Sequence, residues 1–153
     1  MELYKLTALE FAHDLSGEGT RIHGGRWTPK GIPAIYTAES VALCALEILV
    51  RVPTPKMFSR NIIAVPDTAS IETVSLDDLP TDWQLVESYD RLHSIGKSWA
   101  KRKDALLLKV PSAVVSGEGW NYIINPLHPE IAMVEIKDTA PFCLDHRLFK
   151  NNR

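Results

Sequence analysis

Cysteine is scarce in this chain of 153 residues. Its two cysteines, Cys44 and Cys143, cannot form a disulfide framework, and no CxxC pair is present to suggest a structural zinc site. The five histidines lack HxH and HExxH spacing, so we expect no metal. This cysteine usage predicts a reducing compartment, and we expect a cytoplasmic protein.

Long apolar runs and an excess of charge of one sign are also missing. The longest apolar stretch, residues 41–50, contains Glu47 and is far shorter than the roughly 20 residues that span a bilayer. The first residues lack the basic and apolar regions of a signal peptide. With 17 basic and 19 acidic residues the formal net charge is −2, which gives no electrostatic footprint for nucleic acid. We therefore expect neither membrane insertion nor direct nucleic-acid binding.

The length and the 45% content of hydrophobic residues predict one domain over residues 1–153. Ten prolines favour many short elements, and no Rossmann or P-loop glycine motif accompanies the strand-like segments. Residues 38–50 predict a buried helix, apolar on most of its circumference, with Thr37 as N-cap. Short strands around one central helix indicate an α+β fold. The segments predicted as strands are 3–6, 32–37, 62–65, 71–74, 105–110, 120–124 and 131–136.

Two other segments carry local expectations. Residues 16–31 contain five glycines and predict a loop whose backbone approaches another group closely or needs positive φ. Residues 88–103 predict helix in parts, with a break at Gly96.

Three side chains are the strongest candidates for chemistry. Glu47 places a carboxylate in the most apolar helix, which indicates either an acid–base or hydroxyl-binding group or a pairing with Arg51 one turn on. Arg26 follows two glycines, which suits a phosphate-gripping guanidinium but also a solvated loop arginine. Tyr36 ends a strand just before the helix, where it either stacks on a planar ligand or serves as a core aromatic.

Weaker candidates lie in loops. Ser112 follows a strand at Val110-Pro111, and Asn121 and Asn125 are polar residues of similar standing; each is equally explained as a turn residue. His23 and Gly25 precede Arg26 closely enough to line the same cleft.

These residues together resemble a known family. The stretch GGRWTPKGIPAIYTAES at residues 24–40, continuing to Glu47, is similar to the signature of RES-domain proteins, the toxins of bacterial Xre–RES toxin–antitoxin modules. The family is named after Arg, Glu and Ser positions, which match Arg26, Glu47 and Ser112. Residues 108–115, 121–129 and 142–148 resemble later blocks of the family.

The resemblance implies a fold like that of ADP-ribosyltransferases, a split β-sheet core with a central buried helix around a cleft for NAD. NAD would be the substrate, with no metal required. Glu47, Arg26 and Tyr36 would form the catalytic set, and Arg26, Tyr36, Ser112, Gly25, His23 and Asn125 would bind NAD. The implied reaction cleaves the nicotinamide–ribose bond by hydrolysis or phosphorolysis, which depletes NAD and arrests growth.

Two rival functions remain open at this point. One is a mono-ADP-ribosyltransferase that modifies a host protein, with residues 75–98 as a candidate recognition segment. The other is a non-catalytic NAD-binding module. The resemblance also implies two partners: a cognate Xre-type helix-turn-helix antitoxin and a second copy of the chain in a homodimer.

Overall fold

A computed structural model describes residues 1–149. Seven strands form one mixed sheet in the order β4-β5-β6-β2-β1-β3-β7. The strands are β1 (Glu2–Thr7), β2 (Ile35–Ala38), β3 (Met57–Ala64), β4 (Ile71–Thr73), β5 (Leu107–Pro111), β6 (Trp120–Ile124) and β7 (Glu135–Cys143). The helices are α1 (Glu18–His23), α2 (Val41–Leu49) and α3 (Tyr89–Arg102), and residues 1–149 also contain five short 3₁₀ helices.

The middle of the sheet is split. Strands β1 and β3 pair along six residues, and β2 and β6 along four, but β1 and β2 share the single registered pair Tyr4↔Ala38. Two half-sheets, β4-β5-β6-β2 and β1-β3-β7, therefore diverge from one narrow junction. The predicted α+β class with a split sheet is confirmed.

Helix α2 bridges the two halves, but it is less buried than expected. Ser40, not Thr37, caps its first turn by accepting a hydrogen bond from the Leu43 amide at 3.1 Å. Thr37 belongs to β2, where its hydroxyl donates to the Tyr122 carbonyl across the sheet. Leu43 and Cys44 pack inward, whereas Leu46 faces solvent, so composition alone overestimated the burial of this helix.

Three more local expectations are corrected. The glycine-rich segment 16–31 contains a short helix, α1, whose N-cap Gly17 has φ of +71° and leaves no room for a side chain against the Ala34 amide. Gly96 does not interrupt α3, which runs unbroken over 14 residues. Residues 129–133 form a 3₁₀ turn begun by Pro129, and the last strand starts only at Glu135.

The core lies on both sides of the sheet. One cluster joins α3 to Trp27, Trp83 and the inner face of β5, and a second packs beneath β1, β3 and β6. A third cluster holds α2 against β1 and Phe58. Among residues 1–149, no helix combines the length and apolar character needed to cross a membrane.

Candidate active site

A cleft of about 680 Å³ opens where the two half-sheets diverge. Its size falls within the range of small-molecule sites. Residues of β1, β2, α1 and α2 line it, together with Asn121 of β6. The weak pairing of β1 with β2 creates the space, since fully paired strands would close it.

Glu47 projects into this cleft from α2. It lies four residues after Leu43 and three after Cys44, so it shares the helix face that packs toward the sheet. Ser112 Oγ donates to Glu47 Oε1 at 2.8 Å, and Asn121 Nδ2 donates to the same oxygen at 2.6 Å. Within residues 1–149, no ion pair joins Glu47 to Arg51. The alternative interpretation, a surface ion pair with Arg51, therefore does not describe this carboxylate.

Tyr36 lines the cleft with its ring and uses its hydroxyl elsewhere. The hydroxyl oxygen accepts from the Trp27 amide at 3.0 Å and shares a hydrogen bond with Thr28 Oγ1 at 3.0 Å. Burial raises the pKa of Tyr36, and the hydrogen bonds from Thr28 and Trp27 oppose that rise only in part. The phenol is therefore neutral at physiological pH.

The loop that carries Gly25 and Arg26 contacts the hydroxyl end of Tyr36. A Cβ on Gly25 would lie 2.6 Å from the Tyr36 hydroxyl oxygen, so only glycine permits this approach. Arg26 Nη1 donates to the Gln84 carbonyl at 2.9 Å, and its guanidinium lies 5.0 Å from the Tyr89 ring centroid. Gly25 and Arg26 themselves do not line the cleft.

The remaining residues predicted from the sequence lie in different parts of the structure. Ser112 is fully buried and reaches the cleft only through Glu47. His23 lines the cleft at the end of α1. Asn125 is elsewhere: its Nδ2 donates to the Ala100 carbonyl at 3.1 Å and its Oδ1 accepts from the Leu127 amide at 3.0 Å, which closes the turn after β6.

Two cations in the cleft were missed by sequence reasoning, Lys5 of β1 and Arg51 just beyond α2. Burial lowers the pKa of Lys5, and the negative charge of Asp14 opposes that change. Only the side-by-side placement of β1 and β2 brings Lys5 to Tyr36 and Glu47. A lone lysine in a short strand carries no sequence signal for this.

The chain is similar to known proteins over nearly its whole length. A RES-domain profile matches residues 2–145. "Toxin Res" of Photorhabdus laumondii is 36% identical over 158 residues, covering 98% of each chain. "Prs ADP-ribosylating toxin" of Sphingobium sp. is 35% identical over 144 residues, covering 91% of this chain and 89% of that protein. The chain thus belongs to the RES-domain family and is a toxin of that family.

A solved structure agrees on the fold. The structure of the MbcT–MbcA toxin–antitoxin complex of M. tuberculosis matches with a TM-score of 0.69 and 22% identity, covering 97% of this chain and 86% of that chain. At this identity the likeness concerns the arrangement of strands and helices. It places the split sheet and bridging helix in an arrangement already seen in a solved protein.

Proposed function

We propose that this protein is the toxin of a cytoplasmic toxin–antitoxin module and that it cleaves the nicotinamide–ribose bond of NAD. One observation carries the proposal: the Glu47 carboxylate is held in the cleft by two donors on one oxygen, which leaves its second oxygen for a ligand. The family membership and the name of the Sphingobium relative support NAD chemistry.

The bond to be broken suits a fixed carboxylate. When it breaks, the bonding electron pair leaves with the pyridinium nitrogen, so nicotinamide departs neutral and C1′ of the ribose becomes oxocarbenium-like. Glu47 stabilises that positive charge and binds a ribose hydroxyl through the free oxygen. The acceptor then forms the new bond to C1′ and, if it is water, loses a proton.

The pyrophosphate of NAD needs cations, and within residues 1–149 the cleft lining includes one lysine and one arginine. Lys5 and Arg51 both line it, and a partly buried ammonium gains most from an arriving anion. Tyr36 presents its ring for stacking against nicotinamide. Arg26 contributes indirectly in this arrangement, because its loop holds the Tyr36 hydroxyl. His23 lines the cleft from α1, and Asn125 takes no part.

The acceptor defines the alternatives. Water yields ADP-ribose and phosphate yields an ADP-ribose phosphate. A protein acceptor is favoured by one surface: Leu85 and Val86 are 56% and 71% exposed, directly after the Gln84 carbonyl that holds Arg26. These two adjacent exposed aliphatic residues, beside the loop that carries Arg26, offer a contact for a protein substrate.

The toxicity of the proposed reaction predicts a protein partner. An enzyme that consumes NAD harms its own cell, so the module requires an antitoxin, which we propose is of the Xre helix-turn-helix type. MbcT, which has a similar fold, was solved as a toxin–antitoxin complex, which supports this pairing. A homodimer of the toxin is part of the same proposal.

The test is a product assay. Purified protein is incubated with NAD, with and without inorganic phosphate, and nicotinamide and ribosyl products are identified by mass spectrometry. We expect nicotinamide release by the wild type and loss of at least about 100-fold in Glu47→Gln, since removing a preorganised electrostatic stabiliser costs roughly 10² to 10³ in rate. Glu135→Gln, on the exposed edge strand β7, serves as the matched control and should retain full activity.

The outcomes separate the three functions. ADP-ribose indicates hydrolysis, and a phosphate-dependent product indicates phosphorolysis. A transferase shows label from NAD on a protein in a cell extract with little free product. Saturable NAD binding with no nicotinamide release under any of these conditions contradicts catalysis and favours a binding module.

A further inference from the structure

Asn121 is an unusual residue at its position in the sheet. It lies within β6, where its backbone pairs with Ala38 on one side and Val110 on the other. Asparagine is depleted in strands, because its side chain competes for backbone hydrogen bonds and packs poorly on a sheet. The backbone ladder alone does not account for an amide here, and the residue lines the cleft.

The two ends of this side chain have different environments. Nδ2 donates to Glu47 Oε1 at 2.6 Å. Oδ1 is buried and, alone among the buried side-chain oxygens and nitrogens of residues 1–149, has no hydrogen-bond partner. A carboxylate only accepts hydrogen bonds, so the amide cannot be turned around without placing oxygen against oxygen. The contact with Glu47 therefore fixes which end of the amide stays unpaired.

A buried acceptor without a partner is costly, and native structures rarely tolerate one. It is explained where a ligand supplies the donor. The orphan oxygen has almost no exposed surface, but its residue lines the cleft and holds Glu47, so a ligand donor that displaces the atoms covering this oxygen would lie close to the reacting centre.

We propose that Asn121 both positions Glu47 and binds the substrate. Its amide nitrogen holds one carboxylate oxygen, together with Ser112, so that the other oxygen is directed to the ligand. Its amide oxygen accepts a hydrogen bond from an O–H or N–H donor on the nicotinamide–ribose half of the dinucleotide. This inference rests on the proposed NAD cleavage, and it assigns Ser112 a positioning role through Glu47.

Asn121→Asp is the sharpest test because it preserves the shape. At neutral pH the new carboxylate loses the donor and repels Glu47, so we expect kcat to fall about 10- to 100-fold, as for loss of a hydrogen bond to a charged group. Two carboxyl groups in one site hold a shared proton readily, and that proton restores a donor. The activity of Asn121→Asp relative to wild type should therefore recover as the pH falls from 7 to 5.

Two further variants are matched to this one. Asn121→Leu removes both ends of the amide, so we expect a lower kcat and a higher KM for NAD, with no recovery in acid. Ser112→Ala removes only the second donor to Glu47 Oε1, so we expect a lower kcat with a largely unchanged KM and no recovery in acid. Thermal melts of all three show whether each is folded.

The kinetics of the Asn121 variants either support or overturn the inference. Recovery of Asn121→Asp in acid, without recovery of Asn121→Leu, supports the inference. Wild-type kinetics in both variants overturns it, as does an equal loss in both at every pH. If the wild type itself releases no nicotinamide, the proposed function fails separately. NAD titration calorimetry then decides the inference, and equal affinity of wild type and Asn121→Leu overturns it as well.

Discussion

Gly96 of α3 lies directly against the main chain of Trp27. A Cβ built on Gly96 would be 1.8 Å from the Trp27 carbonyl oxygen and 2.8 Å from the carbonyl carbon. Helix α3 and the loop that carries Trp27 therefore meet backbone to backbone. Trp27 is buried beside Trp83, with ring centroids 6.1 Å apart. The loop that contacts Tyr36 therefore rests on a site that only glycine can occupy.

Gly96→Ala should destabilise the protein substantially. The added methyl group cannot be absorbed by a side-chain rotation, because its neighbour is backbone, and overpacking of this kind costs about 3 kcal/mol. Urea unfolding followed by circular dichroism measures the change. Gly19→Ala in α1 is the control, since a Cβ there meets nothing within 4 Å and alanine favours the helix. Equal stability of the two variants would contradict the close contact.

The same glycine shows where prediction from sequence ended. A glycine inside a helical pattern indicates either a break or a close approach, and nothing local distinguishes the two; the partner, Trp27, lies about 70 positions away in the chain. Likewise Thr37 and Ser40 are both good N-caps, and the choice depends on β2 continuing through Thr37 to pair with β6. Strand β6, by contrast, was predicted with its observed bounds because its apolar residues and flanking turn are local.

For the candidate site, local patterns indicated the residues but not their arrangement. The carboxylate in an apolar helix marked Glu47, and the structure brings Ser112 and Tyr36 to the same region; their functions stay predictions. Arg26 and Glu47 belong to one motif, yet Arg26 is held by Gln84 and Tyr89 outside the cleft lining. Lys5 and Arg51 enter the cleft through strand pairing and helix placement, which no short pattern encodes.

Tyr36→Phe tests whether the hydroxyl holds the loop or takes part in the reaction. The variant keeps the ring in the cleft but leaves the Trp27 amide without its acceptor. We expect a loss of about 1 to 2 kcal/mol in stability and a modest loss of activity, because the flat aromatic surface remains. Urea unfolding and nicotinamide release are measured on the same sample. Complete loss of activity with unchanged stability would instead assign the hydroxyl to the chemistry.

Cys44 should be inert although it lies at the cleft. Burial raises the pKa of its thiol to about 12, and its Sγ donates to the Tyr4 carbonyl at 2.9 Å. At pH 8 we expect iodoacetamide to label the exposed Cys143 and to spare Cys44 until urea unfolds the chain, as read by peptide mass spectrometry. Because folding raises this pKa above its ordinary value of 9.0, the associated stability is present below pH 9 and is lost as pH rises toward 12. Equal labelling of both thiols in the native protein would contradict this description.

Lys5 should make NAD binding depend on pH. Burial lowers its pKa from the ordinary 10.5, so the ammonium loses its proton earlier than an exposed lysine. If it binds the pyrophosphate, the KM for NAD rises as pH increases through that lowered pKa, while kcat is affected less. Lys5→Gln, which is uncharged at every pH, should show a KM raised about 10-fold already at pH 7.

Lys5→Arg separates charge from shape. A guanidinium stays protonated over the whole range, so the KM of this variant should be nearly flat where that of the wild type rises. Lys137→Gln, on edge strand β7, removes an exposed lysine that does not line the cleft and should follow the wild type. A rise in KM with pH that persists unchanged in Lys5→Arg would show that another group titrates. A wild-type KM in Lys5→Gln would show that Lys5 does not bind NAD, and Arg51 would then be the remaining candidate for binding the pyrophosphate.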